Sequence, residues 1–123
     1  MCRISEERLF HDITRTIREE KLFLQPGFGR SDIVERFHIT AHRAGMLFSK
    51  RQTSIPEFIR NCRLEYAEQM MINQQQASLA EIATQSGFIH LGTFMHDFKD
   101  KYGITPARFR ETRLNSNSSN IKD

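Results

Sequence analysis

At a shift of about 50 residues the chain nearly repeats its own pattern: Ile33 matches Ile82, Ile39 matches Phe88, Phe48 matches Phe98, Pro56 matches Pro106 and Arg60 matches Arg110. Each half reads as a short helix, a tight turn, a second helix and then a helix opened by proline, which is a helix-turn-helix unit made twice. A chain of 123 residues has room for one folded unit or two very small ones. No stretch alternates as a strand does. The expected fold is therefore all-α, two helix-turn-helix subdomains joined by a long linker helix, with about seven helices.

Stops and caps divide the pattern. Ser5 is placed to cap a first helix with Glu6 and Glu7 in its opening turn and Leu9, Ile13 and Ile17 along one face, and Pro26-Gly27 stops it near Lys21. A second helix starts at Ser31-Asp32, runs through Ile33, Val34 and Phe37, and gives way to a turn at His38-Ile39. Thr40 caps a third, whose inward side is Ala44, Leu47 and Phe48. Ser54 with Glu57 forms a capping box for a fourth helix reaching about Asn73, with Phe58, Ile59, Cys62, Tyr66 and Met70 around one side. Gln74-Gln75-Gln76 reads as a linker, Ser78 with Glu81 as a second capping box, and Gly87 as a left-handed stop. A sixth helix begins near His90, turns Phe94, Phe98 and Tyr102 inward and ends at Gly103, and Thr105-Pro106 starts a last short one. Expected boundaries are 5–53 for the first subdomain, 54–73 for the linker helix, 77–113 for the second subdomain and 114–123 for a Ser/Asn-rich tail that reads as disordered.

The formal net charge of +3 is unevenly spread: residues 36–64 hold six basic groups and one acidic, residues 65–100 one and five. No acid occurs between Glu35 and Glu57, while Arg36, Arg43, Lys50 and Arg51 do. Such a stripe either attracts polyanions or is a plain solvated helix face. Cys2 and Cys62 form no CxxC, and neither His38 with His42 nor His90 with His96 gains a third ligand at metal spacing, so no metal or other cofactor is expected. The absence of a phosphate loop, nucleophile elbow or paired-carboxylate motif argues against an enzyme. No apolar run nears the roughly 20 residues of a membrane span, and no signal-peptide core follows Met1, so the expected location is the cytoplasm, without membrane contact by this segment.

A helix-turn-helix sets its second helix in the major groove of double-stranded DNA, where side chains reach base edges while caps and flanking cations hold phosphates. Here those helices are 40–51 and 90–102. A linker helix of about 19 residues spans about 29 Å, close to the roughly 34 Å between successive major-groove faces, so one chain can address two adjacent groove segments.

The stretch Leu79-Ala80-Glu81-Ile82-Ala83, then Gly87-Phe88, Phe94, Phe98-Lys99, Tyr102-Gly103-Ile104-Thr105-Pro106 and Phe109-Arg110, resembles the signature of the AraC/XylS family of transcription regulators. Phe58-Ile59, Arg63-Leu64 and Ala67 are similar to that family's linker helix, and the resemblance spans residues 6–113. It implies sequence-specific binding to a promoter or operator and contacts to RNA polymerase. Family members usually carry a sensor or dimerisation region as well, so the resemblance implies either a stand-alone regulator or the C-terminal piece of a longer protein. The chain departs from the family pattern at Ala44 (usually Leu), Met46 and His96 (often Arg), Thr53 (Gly), Gly92 (polar) and Asp100 (basic), positions taken as groove-facing or phosphate-side.

Ten residues form the expected DNA-binding set. Arg43 is the first choice for a base or phosphate contact, and His42 matches a base-reading position of the family or is a plain surface histidine. Met46 offers only apolar contact, to a thymine methyl, while Thr40 caps its helix and can touch a phosphate. Lys50 and Arg51 read as phosphate clamps. In the second half, Thr93 and His96 face the groove by their spacing from Phe94 and Phe98, and Lys99 is a phosphate contact. Leu91 is either an apolar reader or a hydrophobe that meets a partner protein. Arg108 and Arg110 reach the DNA backbone, or Arg110 pairs with an acid of its own subdomain.

Overall fold

The computed structural model describes residues 3–113, so the 114–123 tail and Cys2 lie outside the described residues. Seven α-helices follow in order: α1 Arg3–Glu19, α2 Arg30–Phe37, α3 Ala41–Ser49, α4 Ile55–Asn73, α5 Leu79–Gln85, α6 Leu91–Tyr102 and α7 over 106–113, with a single turn of 3₁₀-helix at Leu22–Leu24. Among the described residues there is no strand, as the periodicity requires. Among the described residues no helix is long and apolar enough to cross a membrane. The chain divides into two compact units between Cys62 and Arg63, inside α4.

In the first unit, α3 packs on α1 and α2. Ala44, Leu47 and Phe48 are buried with Ile13 and Ile17 of α1, Ile33 of α2 and Ile55, Ile59 and Cys62 of α4. The Phe48 ring meets Phe10 at 5.0 Å and Phe58 at 5.6 Å between centroids. Two local starts differ from expectation. Ser5 lies inside α1, which begins at Arg3. α2 begins at Arg30, because the Gly29 N–H donates to Asp32 Oδ2 at 2.9 Å and so moves the cap ahead of Ser31. α1 ends at Glu19, and Lys21 then takes a left-handed conformation that lets Phe23 and Phe28 fold back into the core. The Pro26-Gly27 signal marked only the break.

In the second unit α5 packs on α6. The core joins Leu64, Ala67, Met70 and Met71 of α4 to Ile82, Ala83, Phe88, Phe94 and Phe98, with Tyr66, Tyr102 and Phe109 packed against it. The capping box at Ser78 is complete, its N–H donating to Glu81 Oε1 at 2.9 Å and its hydroxyl accepting from Glu81 N–H at 3.1 Å. α5 ends in paired bonds, Phe88 N–H to the Ala83 carbonyl and Gly87 N–H to the Thr84 carbonyl, around Gly87 at φ 97°. Thr105 caps α7 by accepting from Arg108 N–H, and Pro106, fully buried, occupies its first position.

Candidate nucleic-acid interface

Burial of one side of α3 decides what the other side offers. Thr40 Oγ1 accepts from Arg43 N–H at 3.0 Å, which fixes the first turn. With Ala44, Leu47 and Phe48 inward, His42, Arg43 and Ser49 are exposed, and Met46 is 41% exposed. Ala44, which helical spacing turned inward and the family pattern set among groove-facing or phosphate-side positions, is fully buried, so the spacing holds and the family placement does not.

Arg30 is a residue that sequence reasoning missed. Its guanidinium lies over α3, where a Cβ on Gly45 would stand 3.3 Å from it. It borders a shallow groove of about 260 Å³ together with His42, Gly45, Met46, Ser49 and Thr53. The signal was faint: a cation at the start of α2 and a glycine in the middle of α3 have no meaning apart until the two helices pack.

The basic stripe is less bare than its composition suggests. Lys50 Nζ donates to Glu6 Oε1 at 3.0 Å, and Arg51 lies 3.9 Å from Glu7 Oε2 and stacks over the Phe10 ring at 4.6 Å. Arg36 donates to Glu20 at 2.6 Å. Three of the four cations thus meet acids from outside the acid-free stretch. Arg43 has no ion pair among the described residues and acts on Glu6 only through space.

On α6, Phe94 and Phe98 are buried and Thr93, His96 and Lys99 are exposed, as their spacing predicts. Leu91 is 41% exposed. Met95, one helical turn after Leu91, joins this face at 38% exposure and was also missed. His96 Nδ1 lies 3.3 Å from Asp97 Oδ1, and the Asp97 side chain is only 17% exposed, whereas Asp100 is open. Arg108 is exposed. Arg110 turns inward instead: Nη1 donates to the Ala77 carbonyl at 2.6 Å, so its partner is backbone rather than an acid, and Nε and Nη2 are buried with no hydrogen-bond acceptor among the described residues.

Two helix-turn-helix units, each presenting an exposed face on its second helix, define a helix-turn-helix DNA-binding domain. The Helix-turn-helix domain family of the AraC type matches residues 33–112, and the chain belongs to the AraC/XylS family. It is 27% identical over 95 residues to the transcriptional activator RhrA of Rhizobium meliloti (strain 1021), covering 76% of this chain and 30% of that protein. The C-terminal domain of the two-component response regulator yesN from Fusobacterium nucleatum matches at 25% identity with a TM-score of 0.72, covering 80% of this chain and 95% of that one. The C-terminal domain of AraT, a response regulator from Geobacillus stearothermophilus, shares the fold at 20% identity with a TM-score of 0.75, over 85% of this chain and 84% of that one. The chain spans about a third of the length of the curated relatives it matches.

Proposed function

We propose that the chain binds double-stranded DNA at specific sequences and regulates transcription, with α3 and α6 entering adjacent segments of the major groove. The observation that carries this reading is the outward face of α3, where Arg43, with no ion pair among the described residues, stands beside His42 and Met46 while the opposite side is locked in the core. Arg43 is suited to a base edge or phosphate and Met46 to a thymine methyl. Thr40 accepts a hydrogen bond as a cap and keeps its own O–H for a phosphate. Lys50 and Arg51 are the phosphate contacts at the other end of α3, and on α6 Leu91, Thr93 and His96 face bases while Lys99 faces a phosphate. The unbroken 19 residues of α4, about 29 Å, support the adjacent-segment reading.

The name of RhrA, a transcriptional activator, supports a regulatory role at a promoter or operator. Contact with RNA polymerase, action in the cytoplasm and a sensor or dimerisation region outside this chain belong to the same proposal. No enzymatic activity is part of it.

Selection of bound duplexes from a random pool tests the reading. An enriched motif, lost on Arg43→Ala, is expected. An unenriched pool overturns it in favour of a second reading, an AraC-type fold serving as a protein-interaction module for RNA polymerase or another regulator, with weak non-specific DNA binding. Met46 and His96, where the family often has Arg, favour that alternative.

A further inference from the structure

The two turns differ by one residue. In the first, left-handed His38 is followed by Ile39 and then by Thr40, the N-cap of α3; in the second, left-handed Gly87 is followed by Phe88, then Ile89, then His90, the N-cap of α6. Ile39 and Phe88 are equivalent, since each closes its turn with the same backbone bond, to the Val34 carbonyl in one case and the Ala83 carbonyl in the other. Phe88 fills the inner place, and the added residue, Ile89, is left 66% exposed. Leu91 and Met95 continue on the outside of α6, one helical turn apart. Between them Gly92 presents bare backbone: a Cβ there would meet nothing within 4 Å. Packing does not call for this glycine, and in a helix it lowers stability relative to alanine.

Ile89, Leu91 and Met95 offer no strong hydrogen-bonding group. On the major-groove edge of the base pairs the thymine C5-methyl is the apolar group. We infer that α6 and its preceding turn read thymine methyls, through Ile89, Leu91 and Met95, with Gly92 allowing close approach of the duplex. The inference rests on the DNA-binding reading above and names what one of its two faces recognises. Against an apolar protein surface as the occupant stand the open ammonium groups of α6 itself. Lys99 and Lys101 are exposed on α6, Asp97 is largely covered beside His96, and Asp100 is the exposed carboxylate of this helix.

The test starts from a duplex enriched by the 123-residue chain. Each thymine is replaced singly by deoxyuridine, which removes the methyl and leaves the base-pair hydrogen bonds unchanged, and the Kd is measured. Affinity is expected to fall about fourfold for each methyl contacted, the worth of one buried methyl or methylene. In Leu91→Ala and Met95→Ala the same replacements should have less than half that effect on a logarithmic scale. Both side chains stand outside the core, so thermal melts of these variants should match the parent. Deoxyuridine without effect at every position, or an effect undiminished in both variants, overturns the inference while leaving DNA binding intact. The latter pattern leaves the methyl contacts to Met46 or to Ile89 alone, and the former leaves the apolar strip to a protein partner. If no duplex is enriched at all, the DNA-binding reading falls and this inference with it.

Discussion

Lys50, just past the end of α3, donates from Nζ to Oε1 of Glu6 on α1 at 3.0 Å, across 44 residues of chain. The hydrogen bond from the Lys50 ammonium, and then its charge, hold the Glu6 carboxyl below the ordinary carboxylate range. A DNA phosphate that takes Lys50 must displace Glu6. With roughly four to six phosphates neutralised, log K should fall against log salt with a slope of about −4 to −5. Glu6→Gln should tighten binding and steepen that slope by about 1. Titrations at several salt concentrations decide the matter, and an unchanged slope would place Lys50 away from the DNA.

Unequal contributions from the two recognition helices form a second prediction. Arg43→Ala removes an exposed cation that has no ion pair among the described residues and should weaken specific binding by roughly 1–3 kcal/mol. His96→Ala removes a ring already turned to Asp97 and should change it by less than about 0.5 kcal/mol, within the range of a surface substitution. Asp100→Lys should tighten binding by removing an exposed carboxylate. Equal losses for Arg43→Ala and His96→Ala at fixed salt would show the helices to be equal partners.

For stability, the ring of Phe98 matters most in the second unit. It is fully buried, with centroids at 4.5 Å from Tyr102, 5.4 Å from Phe109 and 5.8 Å from Phe94. Phe98→Ala should cost about 3–5 kcal/mol. Denaturant unfolding checks this, and an unchanged midpoint would mean that the inward ridge of α6 has been assigned to the wrong side.

Alkaline pH should weaken the same unit. The Tyr102 hydroxyl donates to Glu68 Oε1 at 3.1 Å. Burial, then the charge of Glu68 and the hydrogen bond to it, push its pKa up. The fold therefore favours the protonated phenol, so this stabilisation is complete below the unfolded pKa of about 10 and fades as pH rises above it. Tyr102→Phe should cost about 1 kcal/mol at neutral pH, reduced from the usual range for a charged acceptor because the site is partly open to water. Melts of both proteins at pH 7 and about pH 10.5 should converge at the higher pH. A gap that stays constant would count against the linkage.

Caps and inward faces were legible because they are local. Thr40, Ser78 and Gly87 act within a few residues of themselves, and the spacing of Phe94 and Phe98 settles which way α6 turns. What escaped the sequence reading depends on partners far along the chain. Glu6 and Glu7 neutralise a stripe that contains no acid of its own, and Arg30 reaches Gly45 only when α2 lies on α3. The turn at His38 was found, but its left-handed backbone, at φ 56°, carries no glycine to announce it. Ser5 failed as a cap because α1 starts two residues before it.

The division inside α4 bears on how the chain melts. Cut between Cys62 and Arg63, the helix leaves Ile55–Cys62 and Arg63–Asn73, pieces of 8 and 11 residues. Both are shorter than the roughly 12–15 residues at which an isolated helix begins to hold in water. Each core therefore rests on a segment whose helicity the other core helps to sustain. Loss of either should fray the helix around residues 60–66, so hydrogen exchange at those amides should report the opening of the weaker unit.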